Sequence, residues 1–218
     1  MAIRNLSLCA ALLLVLVFSG AARAGVVINI QNVQVAVGGS VFFDVTATAD
    51  PGVNLDNFGL TLEIVPTVGH GRVLKFVNPQ VNPHLTDPNY VFFGNSKDYS
   101  ALLTEDDTVY KGSDLRSDDS VMPLDAVTRL LARIEVTTLT SDAPLAGDQF
   151  WIQINRDGTS FFDNDQQAIS FGGNAGLITV TGVPEPGGAA ALGVAALGAW
   201  LAKRYRRKAK KPTEPAAA

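Results

Sequence analysis

Two histidines, His70 and His84, are the only side chains in this sequence whose ordinary pKa lies near neutral pH. His70 stands between two glycines, and His84 stands between Pro83 and Leu85. The sequence contains no Gly-x-Ser-x-Gly elbow, His-Glu-x-x-His helix or phosphate loop. We therefore predict no catalytic residue and expect the histidines to lie in solvated loops. A secreted hydrolase stays an alternative, and it requires two carboxylates that face one cleft.

Acidic side chains form two groups that could bind calcium, an ion that takes six to eight oxygen ligands. One group lies between residues 105 and 119. The other comprises Asn155, Asp157, Asp163 and Asp165. Neither has the twelve-residue EF-hand spacing, because no glutamate closes either loop at the required position. The sequence implies no obligatory cofactor, and these residues are interpreted either as a structural calcium site or as solvated charge.

One aromatic side chain, Trp151, is placed to stack on a sugar ring. It stands between Gln149 and Gln153, on the polar positions of a predicted strand. A tryptophan in this position either covers the edge of a sandwich or binds carbohydrate. A carbohydrate-binding module is therefore the first alternative function.

Alternation of apolar and polar residues predicts β-strands through most of residues 25–182. The two-residue period is clearest in Val41–Ala49, Phe58–Ile64, Leu130–Val136 and Phe150–Ile154. Turn sequences such as Asp50-Pro51-Gly52 separate these runs. No helical period of comparable length lies between them. The pattern predicts an all-β fold, an antiparallel β-sandwich or jelly roll, as one domain over residues 25–182.

The same alternation predicts the core. Six side chains should be buried: Leu60, Leu62, Leu130, Ile134, Ile152 and Ile154. Four should lie at or near the surface: Thr61, Glu63, Arg133 and Gln153. Val26–Val37 and Tyr90–Phe93 are further predicted strands. Residues Gly94–Asp125 lose the alternation, and there we predict a long polar connection with a short helix over Ser96–Leu103.

The first 24 residues have the three parts of a secretory signal peptide. Arg4 supplies the positive charge, Leu6–Phe18 the apolar stretch, and Ala22-Arg23-Ala24 a small-x-small cleavage site. Cleavage after Ala24 would remove Cys9, the only cysteine. The exported chain would then have neither a disulfide nor a thiol nucleophile, so core packing alone would stabilise it.

The charge of the sequence is unevenly distributed. Residues 25–186 contain 8 lysines and arginines against 20 aspartates and glutamates, a formal charge of −12. Such an acidic body repels phosphate backbones and anionic membrane surfaces, so we predict no nucleic-acid partner. It favours a solvated extracellular surface.

The C-terminal segment combines a short motif, an apolar run and a basic cluster. The motif is Val183, Pro184, Glu185 and Pro186. Residues 187–202 are uncharged and predict a single transmembrane helix of roughly 24 Å, which interfacial Trp200 and snorkelling cations would extend. The basic cluster, in residues 203–208, consists of Lys203, Arg204, Arg206, Arg207 and Lys208. It should stay in the cytoplasm together with a tail of residues 209–218.

This three-part arrangement over residues 183–208 resembles the PEP-CTERM sorting signal of Gram-negative and related bacteria. The resemblance implies processing by an exosortase-type, membrane-embedded enzyme. It also implies that a membrane-anchored precursor, exported through the inner membrane, reaches the cell surface or the extracellular space. An association with exopolysaccharide and biofilm is a further implication. The longer tail, Lys210–Ala218, departs from the usual pattern; it leaves the sorting prediction standing and keeps an unprocessed anchor as an alternative.

The predicted body is similar to the cohesin-like sandwich of many exported bacterial proteins. The residues that carry this resemblance are Gly39-Ser40, Phe58–Ile64, Phe161-Phe162-Asp163, Ala168-Ile169 and Gly176–Val180. The resemblance implies binding or scaffold work and supplies no catalytic residue. We expect a non-enzymatic exported protein of the cell surface or extracellular matrix.

Overall fold

The computed structural model describes residues 25–68, 71–118, 123–124 and 127–182. The predicted signal peptide, the sorting motif at Val183–Pro186, the transmembrane helix and the basic cluster lie outside these residues. Within the described residues, no helix is long and apolar enough to cross a membrane. The segments predicted at the two ends of the chain therefore stay predictions.

The described residues form twelve strands and one 3-10 helix, Pro83–Thr86. The strands are β1 Gly25–Ile30, β2 Val33–Ala36, β3 Ser40–Ala49, β4 Asn57–Pro66, β5 Lys75–Phe76, β6 Ser100–Leu103, β7 Val109–Leu115, β8 Arg129–Thr137, β9 Gln149–Ile154, β10 Ser160–Phe162, β11 Ser170–Asn174 and β12 Gly176–Thr181. The all-β prediction is confirmed for this part of the chain.

The strands form two sheets that pack face to face. The smaller sheet has the order β11-β1-β3-β8-β5. The larger sheet has the order β2-β12-β9-β4-β7-β6, with β10 pairing with β4 outside this order. Most neighbours are antiparallel, but β1 pairs with β11 and β2 pairs with β12 in parallel. The result is a β-sandwich.

Two strand pairs cross together from the smaller sheet to the larger one. The chain leaves β1 after Ile30 and continues as β2, while the parallel strand β11 continues as β12 beside it. The crossing brings the backbone of Gly176 against Ile30. A Cβ atom on Gly176 would lie 2.4 Å from Ile30 Cγ2, so only glycine fits there. The predicted single strand Val26–Val37 is therefore broken at this crossing.

Five of the six side chains that the alternation predicts to be buried lie in the core between the sheets. Leu60, Leu62, Leu130, Ile134 and Ile152 are buried, as predicted. Three further predictions, for Glu63, Arg133 and Gln153, are also confirmed, since these side chains are partly or fully exposed.

Two of the core predictions are wrong or incomplete. Ile154 is only partly buried. Thr61 is buried because the turn after β9 folds over it: its hydroxyl donates to the Gly158 carbonyl at 2.8 Å, and its N–H donates to Thr159 Oγ1 at 3.0 Å.

The segment Gly94–Asp125 contradicts the prediction of a polar connection with a helix. Ser100–Leu103 is strand β6, and Val109–Leu115 is strand β7 at the centre of this region. The inward positions of β7 are Tyr110, Gly112 and Asp114. Because only one of them is a large hydrophobic side chain, no apolar period was visible. Tyr90–Phe93 likewise forms a turn with one bridge at Tyr90 rather than a strand.

We expect Ile152→Ala to destabilise the protein by about 2–5 kcal/mol, because the fully buried side chain leaves a cavity and no disulfide limits the unfolded chain. Chemical unfolding followed by circular dichroism measures this change. Gln153→Ala, on the next and exposed position of β9, is the control and should change stability by less than about 0.5 kcal/mol. Equal effects of the two substitutions would contradict the strand register.

Candidate functional site

The outer face of the larger sheet presents one exposed tryptophan, Trp151. Residues Gln149, Trp151 and Gln153 alternate outward along β9, and 38% of Trp151 is exposed. Phe150 and Ile152, between them, point into the core. The outward position of Trp151 agrees with the strand pattern. We call the surface formed by these three residues and their cross-strand neighbours the Trp151 face.

Register across the strands places apolar side chains on both sides of Trp151. Leu177 of β12 lies opposite Trp151 on one side, and Val65 of β4 lies opposite it on the other. Because neighbouring strands are about 4.8 Å apart, the three side chains form a row roughly 10 Å long across the sheet. This row is the apolar centre of the Trp151 face.

Polar side chains border this row along the strands. Gln149 lies opposite Thr179, and Thr67 continues β4 beside it, with its N–H donating to the Gln149 carbonyl at 3.1 Å. On the other border, Gln153 lies opposite Glu63. The carboxylate of Glu63 accepts a hydrogen bond from the side-chain amide of Asn155. The face therefore combines an indole ring with amides, hydroxyls and a single carboxylate.

The four residues predicted as calcium ligands lie in two turns on either side of β10. In the first turn, Asn155 Oδ1 accepts the backbone N–H groups of Asp157 and Gly158 at 3.0 and 3.3 Å. In the second, Asp163 Oδ1 accepts those of Asp165 and Gln167 at 3.0 and 2.8 Å. These oxygens therefore stabilise the turns.

No group of three or more aspartate, glutamate, histidine or cysteine side chains in the described parts of the chain is arranged to hold a metal ion. The geometry of the two turns thus adds no support to the calcium interpretation of Asn155, Asp157, Asp163 and Asp165.

A cleft of about 540 Å³ at one end of the smaller sheet bears directly on the hydrolase alternative, because two carboxylates line it. The Asn78 amide donates to Asp107 Oδ1 at 2.8 Å, and the Ser40 hydroxyl donates to Glu135 Oε1 at 2.5 Å. The N–H of Phe76 also donates to the Asp107 carbonyl at 2.8 Å, which links β5 of one sheet to the β6–β7 turn of the other. These contacts are structural, and they favour no acid–base role.

The structure corrects the expectation for His84, which is fully buried rather than solvated. Its Nδ1 accepts the backbone N–H of Arg133 on β8 at 3.3 Å. Its ring meets Tyr90 and Tyr99 edge-on, with centroids 5.0 and 4.7 Å away. Nε2 has no hydrogen-bond partner in the described part of the chain. The sequence carries no signal of this burial, because His84 lies between Pro83 and Leu85, outside the alternating runs. His70 lies outside the described residues.

A buried hydrogen-bonded cluster surrounds this imidazole. The Tyr90 hydroxyl donates to Asp114 Oδ2 at 2.5 Å, and the hydroxyls of Tyr99 and Tyr110 are 2.5 Å apart. Burial raises the pKa of all three tyrosines, that of Tyr110 to about 12, so they stay neutral at physiological pH.

Burial is also the main reason that the pKa of His84 falls to about 4. The positive charge of Arg133 adds to this lowering, while the carboxylates of Asp44 and Asp87 oppose it. Arg133 contacts both carboxylates, at 2.7 Å to Asp44 and 3.3 Å to Asp87. The buried imidazole is therefore neutral at pH 7 and acts as a structural acceptor.

No protein-family model matches this chain, and no curated protein matches it. Solved structures do match. The chain is similar to one in the Coh-OlpC–Doc435 type I cohesin–dockerin complex of Clostridium thermocellum, with 13% identity and a TM-score of 0.53 over 73% of this chain and 95% of that one. It is similar to the sixth cohesin of Acetivibrio cellulolyticus scaffoldin B, solved with a dockerin, with 13% identity and a TM-score of 0.54 over 72% and 99%.

A third similar structure is the third cohesin ScaC of the same organism, in complex with the ScaB dockerin. It has 15% identity and a TM-score of 0.54, over 72% of this chain and 99% of that one. At these identities the likeness establishes the fold. The cohesin-like sandwich expected from the sequence is confirmed.

Neutral, buried His84 should make stability depend on pH. The pKa of His84 is lower in the folded chain than its ordinary value of 6.5, so the unfolded chain takes up the proton first as the pH falls. The contribution of His84 to the free energy of unfolding is therefore complete above pH 6.5 and is lost as the pH falls towards 4. We expect the protonation of His84 alone to lower the free energy of unfolding by about 3 kcal/mol between pH 6.5 and pH 4. Unfolding by denaturant at a series of pH values measures the loss.

The comparison of two variants isolates this effect. His84→Gln should remove the histidine part of the pH dependence, whatever its effect on stability at pH 7. His70→Gln, which changes the other histidine, should keep the pH dependence of the natural chain. A His84→Gln variant whose stability falls between pH 6.5 and 4 as steeply as the natural chain's would refute the assignment.

Proposed function

We propose that this protein is a non-enzymatic exported module of the cell surface or extracellular matrix that holds a partner and associates with exopolysaccharide. The observation that carries the proposal is the Trp151 face, which presents an exposed aromatic side chain on a sheet with a buried core beneath it. Binding surfaces of this kind are enriched in tryptophan, whose large rigid ring loses little conformational entropy on contact.

The fold supports a binding role. Its similar structures are cohesins, several of them solved with dockerin partners. A sandwich whose side chains are locked by a continuous core can present a surface without rearrangement, which lowers the entropic cost of binding. Asp107 and Glu135, the carboxylates of the cleft described above, form structural hydrogen bonds, so this cleft does not support the secreted hydrolase.

The C-terminal sequence supports export and sorting. Val183-Pro184-Glu185-Pro186, the apolar residues 187–202 and the basic residues 203–208 together resemble the PEP-CTERM signal. An exosortase-type enzyme would act on this segment while the apolar helix holds the precursor in the inner membrane. The body, which ends at Thr181, would then be released to the surface or the extracellular space.

A carbohydrate-binding module is the second candidate, and one observation favours it. The apolar row of Leu177, Trp151 and Val65 is only three side chains wide and is bordered along the strands by amide and hydroxyl side chains. Hydroxyl-rich sugars need both an apolar platform and hydrogen-bond partners. This candidate is compatible with the first, because exopolysaccharide would be the ligand in both.

Replacing Pro184, Glu185 and Pro186 by alanine should abolish processing and leave the precursor in the membrane fraction. Mass spectrometry of both chain ends, in a host that contains an exosortase, measures this. In the natural chain we expect a start near Gly25 and a C-terminus near the motif.

The tail supplies a matched control, because Pro212, Glu214 and Pro215 repeat the same residue types outside the motif. Alanine at these three positions should leave processing unchanged. Recovery of natural chains that all end at Ala218 would overturn the sorting proposal and leave a plain membrane anchor.

A further inference from the structure

We propose that the Trp151 face binds a neutral glycan, with one sugar ring stacked on Trp151 and its hydroxyls bonded by Gln149 and Gln153. This inference rests on the proposed function and specifies the chemical class of the exopolysaccharide. It assigns the site to the outer face of the larger sheet, away from the loops at the ends of the sandwich.

The first argument is the spacing along β9. Residues two apart on a strand point to the same side and lie about 7 Å from each other. The two glutamines therefore stand on either side of the indole, and their flexible side chains can extend towards the hydroxyl groups at the edges of a sugar ring stacked on it. Each amide offers two N–H donors and one carbonyl acceptor, which suits hydroxyl groups that both donate and accept.

The second argument is that these groups are available. Within the described residues, neither side-chain amide of Gln149 and Gln153 forms a hydrogen bond with another protein group. The ring of Trp151 has no aromatic or cationic partner in the same part of the chain. Gln149, Trp151 and Gln153 thus lie in one line along β9, and their side chains are accessible to a ligand.

The third argument is that the charge around the face disfavours anionic glycans and so favours a neutral one. The only ionisable cross-strand neighbour of these three residues is Glu63, opposite Gln153. No lysine or arginine lies opposite them in the register of the strands, so a uronate or sulfate group stacked there would have no directly opposed cation. The charge of −12 over residues 25–186 adds a long-range repulsion of anionic polymers.

The size of the apolar row argues against a protein occupant. Stable protein interfaces bury about 800 Å² on each partner and involve roughly 20–30 residues a side. Only Leu177, Trp151 and Val65 form the apolar row, and polar side chains border it along the strands. Three side chains match the dimensions of a sugar ring better than those of a protein interface.

The experiment uses the full chain in detergent with Trp200→Phe. Since the sequence has two tryptophans, this change makes Trp151 the only one, and its fluorescence reports on the face alone. The probes are neutral α- and β-linked glucan oligosaccharides and alginate fragments of equal length, titrated at fixed ionic strength. We expect a saturable change with at least one neutral glucan and at least tenfold weaker binding of alginate.

Variants assign the binding to the face, with affinity measured by calorimetry. Trp151→Ala should weaken binding of the neutral glucan at least tenfold, and Gln149→Ala with Gln153→Ala should weaken it several-fold. Leu102→Ala is the matched control, because this residue is 64% exposed on β6 of the same sheet, at its far edge. It should leave the affinity unchanged.

Four results would overturn the inference: no saturable change with any neutral glucan, equal or tighter binding of alginate, unchanged affinity in Trp151→Ala, or a fluorescence change with protein concentration alone. The last result would indicate a second copy of the chain on this face. A chain that is processed and reaches the surface but binds no glucan would remove this inference and leave the proposed function in place. A chain that binds glucan but is never exported would support this inference and contradict the export part of the proposed function.

Discussion

Backbone N–H and carbonyl groups at the sheet edges need hydrogen-bond partners. The arrangement of the terminal strands and the burial of His84 both follow from this requirement. On one side of the sandwich, the first and last strands cross together between the sheets, so that β1 pairs with β11 and β2 with β12. This pairing joins the two ends of the folded chain and cannot form until residue 181 is available. The close contact at Gly176 is a consequence, since the crossing leaves no room for a side chain beside Ile30.

At the opposite edge of the smaller sheet, side chains form hydrogen bonds with the backbone of β8 where no neighbouring strand does. Strand β5 covers only two residues of β8. Beyond them, the amide of Gln80 bonds both the N–H and the carbonyl of Glu135, at 2.9 and 2.8 Å, and His84 accepts the N–H of Arg133. A buried backbone N–H without a partner costs free energy comparable to a lost hydrogen bond. His84 is therefore buried for a structural reason, and no catalytic role is needed to account for it.

This division explains which features the sequence could predict. Strands such as β3, β4 and β9, whose inward side chains are all apolar, can be predicted from the two-residue period of the sequence. The same period predicts that Trp151 points outward. Strand β7 was missed because its inward residues include Gly112 and Asp114, whose burial depends on partners from distant parts of the chain. Thr61 and His84 were misplaced for the same reason. Long-range hydrogen bonds decide their burial, and local alternation carries no information about them.

The interior and the Trp151 face differ in how they respond to protons. The interior contains an imidazole that must stay neutral, between two tyrosines and close to Arg133. The face consists of an indole, amides, hydroxyls and apolar side chains, none of which titrates between pH 4 and 7, and its one carboxylate, Glu63, lies at its border. Because His84 bonds β8 of the smaller sheet and Trp151 lies on β9 of the larger one, we expect acid to affect the proposed binding mainly through the stability of the whole sandwich. The sequence has one cysteine and so no internal disulfide, and buried hydrogen bonds such as the one that His84 accepts from Arg133 help to stabilise the sandwich that carries the Trp151 face.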